Sequence, residues 1–398
     1  MKRVAIIGTV GIPSKYGGFE TLAHFLTKEL KDEFDFTVYC SKKSYAKEER
    51  IETLHGAKLV YLPFEANGVQ SIIYDMVSMI HAIFVADTLL ILGVSGGMLI
   101  PFLRLFTRKK IIVNIDGLEW RRNKWGKFAK KFLKLSERVA VKFSHGDITD
   151  NLSIKRYTSI NYKTLSNLIE YGGDHTVKVD IEAPDRLKYP FLRNDYAFKV
   201  ARIEPENNIH VVLEAFSKLK MKLIVIGNWN NSDYGRTLKE KYNQFSNIEL
   251  LDPIYEQRAL DLIRGNCSLY IHGHSAGGTN PSLVEAMSLA LPIISFDVSY
   301  NRASTESKCL FFKTAEDLQA IVQNTSPEEL KLQKEVMLEI ATRRYSWKSI
   351  ARKYKNLIYS FDFNYSKQSI RPKMSKVSRK KLQHKGISHL KNTKPYYK

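Results

Sequence analysis

Short apolar runs alternate along this chain with stretches whose apolar residues recur every three or four positions, and the alternation happens twice. In the first half the runs lie at 3–7, 36–40, 58–62, 88–92, 110–115, 146–148 and 164–169. In the second they lie at 197–201, 222–226, 248–250, 269–271, 292–295 and 310–312. Helical periodicity fills most of the gaps, as at 20–30 and 71–85. Strand–helix alternation with short connections predicts parallel sheets covered on both faces. Two such series predict two doubly wound, Rossmann-like domains, each taking its ligand at the carboxyl ends of its strands. The break is expected within 171–194, where Gly172-Gly173, Pro184 and Pro190 interrupt any period. The expected division is an N-terminal domain at 1–180, a C-terminal domain at 190–345, a crossover helix at 346–361 and a tail at 362–398.

Residues 83–106 form an apolar stretch about long enough to span a bilayer. Asp87 lies inside it, and Gly93, Gly96, Gly97 and Pro101 interrupt it. The expectation is therefore a buried strand at 88–92, a glycine turn and a helix. Met1-Lys2-Arg3 followed by five apolar or small residues is too short for a signal peptide.

Charge changes the picture more than composition does. The net charge of +21 is concentrated in two places: residues 104–138 carry 12 Lys/Arg against 3 acids, and residues 360–398 carry 11 against 1. Localised positive charge points to an anionic partner, either nucleic acid or an acidic membrane leaflet. No helix-turn-helix or RNA-binding signature is present, so nucleic acid is not expected. Residues 124–143 read as an amphipathic helix with Trp125, Phe128, Phe132, Leu135 and Val139 on one stripe and lysines on much of the rest. That is the composition of a membrane-surface helix, or of an ordinary helix whose apolar stripe enters the core. The tail from about residue 362 loses periodicity and is expected to be disordered. Three cysteines, an odd number without paired spacing, predict neither disulfides nor a cysteine zinc site and suit the cytoplasm.

Candidate chemistry sits after the strands. Gly8 to Glu20 holds four glycines and opens a helix with Gly17-Gly18-Phe19-Glu20, so its N–H groups could face a phosphate. A tight turn with Glu20 as a first-turn acid is the plainer reading. Arg202 follows a strand, where a guanidinium suits a diphosphate; pairing with Glu206 is the alternative. Gly277-Gly278-Thr279-Asn280-Pro281-Ser282 leads into a helix bearing Glu285, which could take ribose hydroxyls or only complement the helix dipole. Asp116-Gly117 could place a catalytic carboxylate or simply turn the chain. His272 and His274 flank Gly273 at another strand end, and His274 is the candidate for the site. No carboxylate pair or His/Asp cluster suggests a metal.

With these residues in place, the chain resembles the retaining glycosyltransferases of the GT-B fold, family 4. The resemblance rests on the two-sheet plan, Gly17-Gly18-Phe19-Glu20, the Arg202 to Glu206 segment and the Pro281 to Ala286 helix. The longer motifs at 6–21 and 273–286 resemble bacterial capsule and cell-wall rhamnosyltransferases of that family. The resemblance implies two domains facing a cleft and a metal-independent hexosyltransferase that needs no cofactor beyond its nucleotide-sugar substrate. It implies transfer of a sugar, rhamnose from dTDP-rhamnose first among them, to a polyprenyl-linked or growing glycan acceptor, by a peripheral enzyme at the cytoplasmic face of the plasma membrane. Arg202, Asp116 and His274 would be catalytic. Gly17, Gly18, Gly278, Thr279, Asn280 and Glu285 would bind the donor. Three positions depart from the pattern: Gly277 stands where the family has an acid, Asn207 where it has a lysine, and no first-domain histidine is evident, with Asp116 near its place. A sugar-nucleotide epimerase of the same plan and a non-catalytic glycan-assembly partner are the alternatives.

Overall fold

The computed structural model describes residues 1–14, 17–115, 117–121, 125–363, 365–367 and 380. The chain divides into two units, one of Met1–Ile169 with Ala351–Lys398 and one of Glu170–Ile350.

The first unit runs β1 (Lys2–Ile7), α1 (Gly18–Glu29), β2 (Phe34–Ser41), β3 (Thr53–Leu54), β4 (Ala57–Leu62), α2 (Gln70–Val85), β5 (Thr88–Leu92), α3 (Ile100–Phe106), β6 (Lys110–Ile115), α4 (Lys127–Phe143), β7 (Gly146–Thr149), α5 (Leu152–Tyr162) and β8 (Asn167–Leu168). Its sheet has the order β3-β4-β2-β1-β5-β6-β7-β8. All pairs are parallel except β3 with β4, a short antiparallel addition absent from the apolar pattern. The connections from β4 through β7 step across the sheet in one direction. Right-handed crossovers therefore place α2, α3 and α4 on the same face, over a core that includes Ile91, Val113, Met79, Leu103 and Ala140. The 83–106 stretch is thus the end of α2, a buried strand, a loop and a short helix. No helix among the described residues is long and apolar enough to cross a membrane.

The second unit runs α6 (Ala183–Lys188), β9 (Tyr196–Val200), α7 (Ile209–Phe216), β10 (Lys222–Ile226), α8 (Asp233–Tyr242), β11 (Ile248–Leu251), α9 (Gln257–Gly265), β12 (Leu269–His272), α10 (Pro281–Ser288), β13 (Ile293–Phe296), α11 (Ser299–Ser304), β14 (Leu310–Phe312), α12 (Ala315–Asn324) and α13 (Pro327–Arg344). Its six strands are all parallel, in the order β11-β10-β9-β12-β13-β14. The chain order reverses between β9 and β12, so those two neighbours flank the switch point where doubly wound sheets take ligands. The apolar runs at 197–201 and 269–271 supply both strands because buried parallel strands need nearly continuous apolar side chains. Lys199 is the exception within them, and it is fully buried.

A last helix, α14 (Trp347–Ser360), begins in the second unit and ends in the first. Within the first, Asn114 Nδ2 donates to the Tyr354 hydroxyl at 2.7 Å, and the Lys355 ammonium pairs with Glu33. Cys40, Cys267 and Cys309 are unpaired and buried. Burial pushes each thiol up to about 12, which keeps it protonated and inert.

Candidate functional site

β9 and β12 lie side by side, with Leu269 opposite Ala197 and Tyr270 opposite Phe198. The loops leaving them are consequently neighbours, and polar side chains sew them together. Ser275 donates to the Glu206 carbonyl from its backbone N–H at 2.9 Å and from its hydroxyl at 2.8 Å. Asn208 Nδ2 donates to the Gly273 carbonyl at 2.9 Å. Asn207 Nδ2 donates to the Arg202 carbonyl at 2.7 Å, closing the first loop on itself. A Cβ on Gly273 would fall 2.5 Å from the Asn207 carbonyl oxygen and 2.6 Å from Lys199 Nζ, so only glycine lets the loops meet.

This junction brings Arg202 and His274 together. Arg202 is half-exposed, and its Nε lies 3.8 Å from Glu204 rather than pairing with Glu206. An exposed pair that long holds the guanidinium weakly, which leaves it available to an anion. The His274 ring stacks on His272 with centroids 4.5 Å apart and planes 16° apart. Burial first, then His272, Lys199 and Arg202, holds His274 well below the ordinary histidine range, so it is neutral at pH 7. Its Nδ1 has no hydrogen-bond partner among the described residues.

Lys199 is the residue that the apolar pattern concealed. Its Nζ has no hydrogen-bond partner among the described residues. Burial pushes it down to about 7. The same burial, with Lys199 adding to it, lowers His272, both of whose ring nitrogens are unpartnered among the described residues. An amine and one imidazole, Lys199 and His272, without hydrogen-bond partners among the described residues lie under the stitched loops, and the His274 ring of the loop stacks on His272. Buried polar groups are usually satisfied, and perturbed titratable groups gather at functional sites.

Glu285 sits in a different environment. Its Oε2 meets Arg264 Nη1, and Arg264 Nη2 donates to Asp261 Oδ1 at 2.8 Å. Glu285 Oε1 lies 3.3 Å from His175 Nε2. Trp347 Nε1 donates to His175 Nδ1 at 3.1 Å, which leaves the imidazole proton on Nε2, facing the carboxylate. Burial alone would raise the Glu285 carboxyl, but Arg264 and His175 hold it at about 2. Both carboxylate oxygens are thus already engaged, and any ribose hydroxyl would bind lone pairs left over. Arg264 and Asp261 are each only 1% exposed. Their role was not visible in the sequence, where they read as ordinary α9 polar residues.

The loop before α10 carries the remaining second-unit candidates. Gly277 has φ +127 with open space where a Cβ would point, so the family's acid would be strained there though not crowded. Thr279 is buried. Asn280 caps α10, its Oδ1 accepting from the Ser282 N–H at 3.3 Å and hydroxyl at 2.9 Å. Gly278 and Thr279 therefore lead straight into a capped helix N-terminus.

Gly17 and Gly18 belong to the first unit, where the loop after β1 is strapped in place. Glu20 Oε1 accepts from the Val10 N–H at 2.7 Å, Tyr74 donates to the Thr9 carbonyl at 2.9 Å, and Gly17 adopts φ +126. Glu20 is a loop clamp as much as a first-turn acid. Asp116 lies outside the described residues. Among the described residues no group of three or more His, Cys, Asp or Glu side chains is placed to hold a metal.

Residues 187–353 match the family described as Glycosyl transferases group 1. The second unit carries that domain. Residues 1–174 match a domain of unknown function, DUF1972. No curated protein matches the chain. Among solved structures it is similar to the sucrose-phosphate synthase of Thermosynechococcus elongatus at 14% identity and a TM-score of 0.75, over 92% of this chain and 100% of that one. Anabaena HepE in complex with UDP and glucose is similar at 13% identity and a TM-score of 0.70, over 90% and 100%. The catalytic domain of starch synthase IV from Arabidopsis thaliana, bound to ADP and acarbose, follows at 12% and 0.67, over 92% and 99%. The fold is of the GT-B type. With the group 1 domain on it, the chain is a GT-B-type glycosyltransferase.

Two stability predictions follow from the buried charges. The unfolded chain keeps the Lys199 proton to about pH 10.5, whereas the folded chain loses it near 7. Between those values the unfolded state binds the extra proton, so this group makes stability rise with pH. Lys199→Met removes the cost of charging: it raises Tm at pH 6 by about 3 °C and flattens the rise between pH 7 and 10. A lower Tm for the variant at pH 6 would contradict this. Arg264→Met strands two carboxylates, Asp261 and Glu285, and is expected to cost about 3–5 kcal/mol in urea unfolding. A cost below about 1 kcal/mol would mean that the network is not holding α9 to α10.

Proposed function

We propose that this glycosyltransferase takes a nucleoside-diphosphate sugar at the β9–β12 junction of its second unit and transfers the sugar to a membrane-borne or growing glycan. The observation that carries the reading is the half-exposed, weakly paired Arg202 guanidinium standing on two loops locked by Ser275 and Asn208. Such a group meets a diphosphate with permanent charge and bidentate donors. Nucleotides bound in the neighbouring structures, UDP in one and ADP in another, support the same substrate class here. The preferred donor is dTDP-rhamnose, a choice resting on the resemblance of the 6–21 and 273–286 motifs. The basic 104–138 and 360–398 segments favour an acceptor carried at an anionic membrane surface on the cytoplasmic side.

Catalysis on this reading is mostly electrostatic. As the bond from the anomeric carbon to the diphosphate oxygen breaks, negative charge grows on the departing diphosphate. Arg202 and the N–H groups of Gly278, Thr279 and Asn280 would receive that charge, and their loop positions are set before substrate arrives. Lys199 lies beneath the loop where Asn207 replaces the family's lysine, and a bound diphosphate would favour its charged form over the deprotonation that burial promotes. His274, neutral and unpartnered at Nδ1, would accept a hydrogen bond from the sugar. Among first-unit residues, Gly17 and Gly18 would bind donor or acceptor and Asp116 would be the catalytic carboxylate. The leaving phosphate would take the acceptor proton, and the sugar would keep its anomeric configuration without help from a metal.

The test is a transfer assay on a polyprenyl-diphosphate glycan with dTDP-, UDP- and GDP-sugars. Arg202→Ala is expected to lower kcat/KM by about 100-fold or more, with activity undiminished in EDTA and the product's anomeric proton matching the donor's configuration by NMR. An Arg202→Ala enzyme of wild-type rate would overturn the mechanism. Interconversion of free nucleotide sugars without acceptor would move the chain to the epimerases.

A further inference from the structure

The helix α4 has two apolar faces, and only one of them is used by the core. Leu133 is buried, and Ala140 and Val141 join the core of the first sheet. The stripe that the sequence singled out points elsewhere: Phe128 is 90% exposed and Leu135 49%. Phe132 and Val139 on the same stripe are only half-buried. The neighbouring α3 repeats the pattern, with Leu103 inward and Phe102, Leu105 and Phe106 exposed. On α2, which lies on the same face of the sheet, Ile73, Ile80 and Phe84 are exposed along one side. Scattered surface apolar residues are ordinary, but a layer of three helices that all turn large apolar side chains to water marks a docking surface.

Charge identifies the occupant. The three helices contain two acids, Asp75 and Glu137, and both are buried. Exposed Lys127, Lys131, Lys134, Arg138 and Lys142 flank the α4 stripe. A second copy of the chain would set this basic face against itself. The chain's own residues 368–398 hold ten Lys/Arg and no acid, so they do not complement it either. A bilayer containing anionic lipid satisfies both features, with phenylalanines at the headgroup–acyl boundary and lysines among the phosphates.

We propose that the outer face of α2, α3 and α4 is a membrane-docking platform for an anionic leaflet. The platform deepens the reading of a membrane-borne acceptor by naming the face that meets the membrane, and it is tested without turnover.

The full-length protein is sedimented with vesicles of phosphatidylcholine alone or with 30% phosphatidylglycerol (~0.3 mole fraction, enough for a strongly negative surface) across a range of salt. Expected is selective binding to the anionic vesicles that weakens as salt rises. Phe106→Ser with Phe128→Ser lowers the partition coefficient by about 10-fold or more, and Lys131→Glu with Lys134→Glu does likewise. Both pairs are exposed, so folding is preserved, checked by an unchanged Tm. Phe128→Trp reports insertion directly: its emission shifts to the blue with anionic vesicles and is quenched by acyl-chain-brominated lipid. Wild-type binding by both double variants, or a Phe128→Trp spectrum indifferent to vesicles, would overturn the proposal. So would a solution dimer that Phe106→Ser with Phe128→Ser dissociates, since the occupant would then be a second copy. Calorimetric titration of the same variants with nucleoside diphosphates is expected to match wild type, so loss of docking and loss of the donor site read out separately.

Discussion

The architecture of the second unit turns on one contact, the closure of the loop after β9 onto the loop after β12. Ser275 uses both its donors on the Glu206 carbonyl, and Asn208 returns a bond to Gly273. Backbone carbonyls at strand ends need partners; here the partners come from the opposite loop, so two segments about 70 residues apart become one surface. Everything else at the site inherits its position from this. Gly273 must lack a side chain because the loops touch there. Arg202 is presented outward because its own carbonyl is tied down by Asn207. Lys199 and His272 are sealed beneath because the closed loops cover them.

That seal has an energetic cost, and the cost indicates what the site is for. Burying an amine with no acceptor is unfavourable, and a methionine would fill the same strand position without it. The chain also keeps a second buried charge cluster, Arg264 with Asp261 and Glu285, but treats it differently: every charge faces an opposite one, with only Arg264 Nε unpartnered among the described residues, and His175 and Trp347 extend the network. The charge-paired cluster ties together α9, α10 and the start of α14 in the second unit. Lys199 and His272 have no opposite charge or hydrogen-bond partner among the described residues, and on the proposed reading a bound diphosphate would supply the acceptors. The contrast is between charges that neutralise one another and a lone amine beneath the proposed donor site.

Much of the fold was legible because buried parallel strands advertise themselves as apolar runs; β5, β6, β10 and β14 coincide with those runs at both ends. β3 was not legible, being two residues long, and the 164–169 run contracts to the two residues of β8. Arg202 and His274 were readable as residues just beyond strands, and the structure brings them together. Lys199 was not, since one lysine inside an apolar run looks like a strand edge, and only the sheet order makes β9 central. The partners of Glu285 come from residues 21 and 110 positions away in sequence, beyond any local pattern. For α4 the periodicity was right and its direction was not decidable: a stripe at spacings of three and four states that a helix has an apolar face, not whether that face looks inward.

The central claim is that the stitched loops of the second unit hold the donor's diphosphate. Hydrogen exchange of the full chain, with and without a saturating nucleoside diphosphate, addresses it most directly. The account predicts slowed exchange at residues 202–208 and 273–280, whether or not the loop at 8–20 is also protected. Tight nucleotide binding that protects 8–20 alone, or that protects neither second-unit loop, would contradict it.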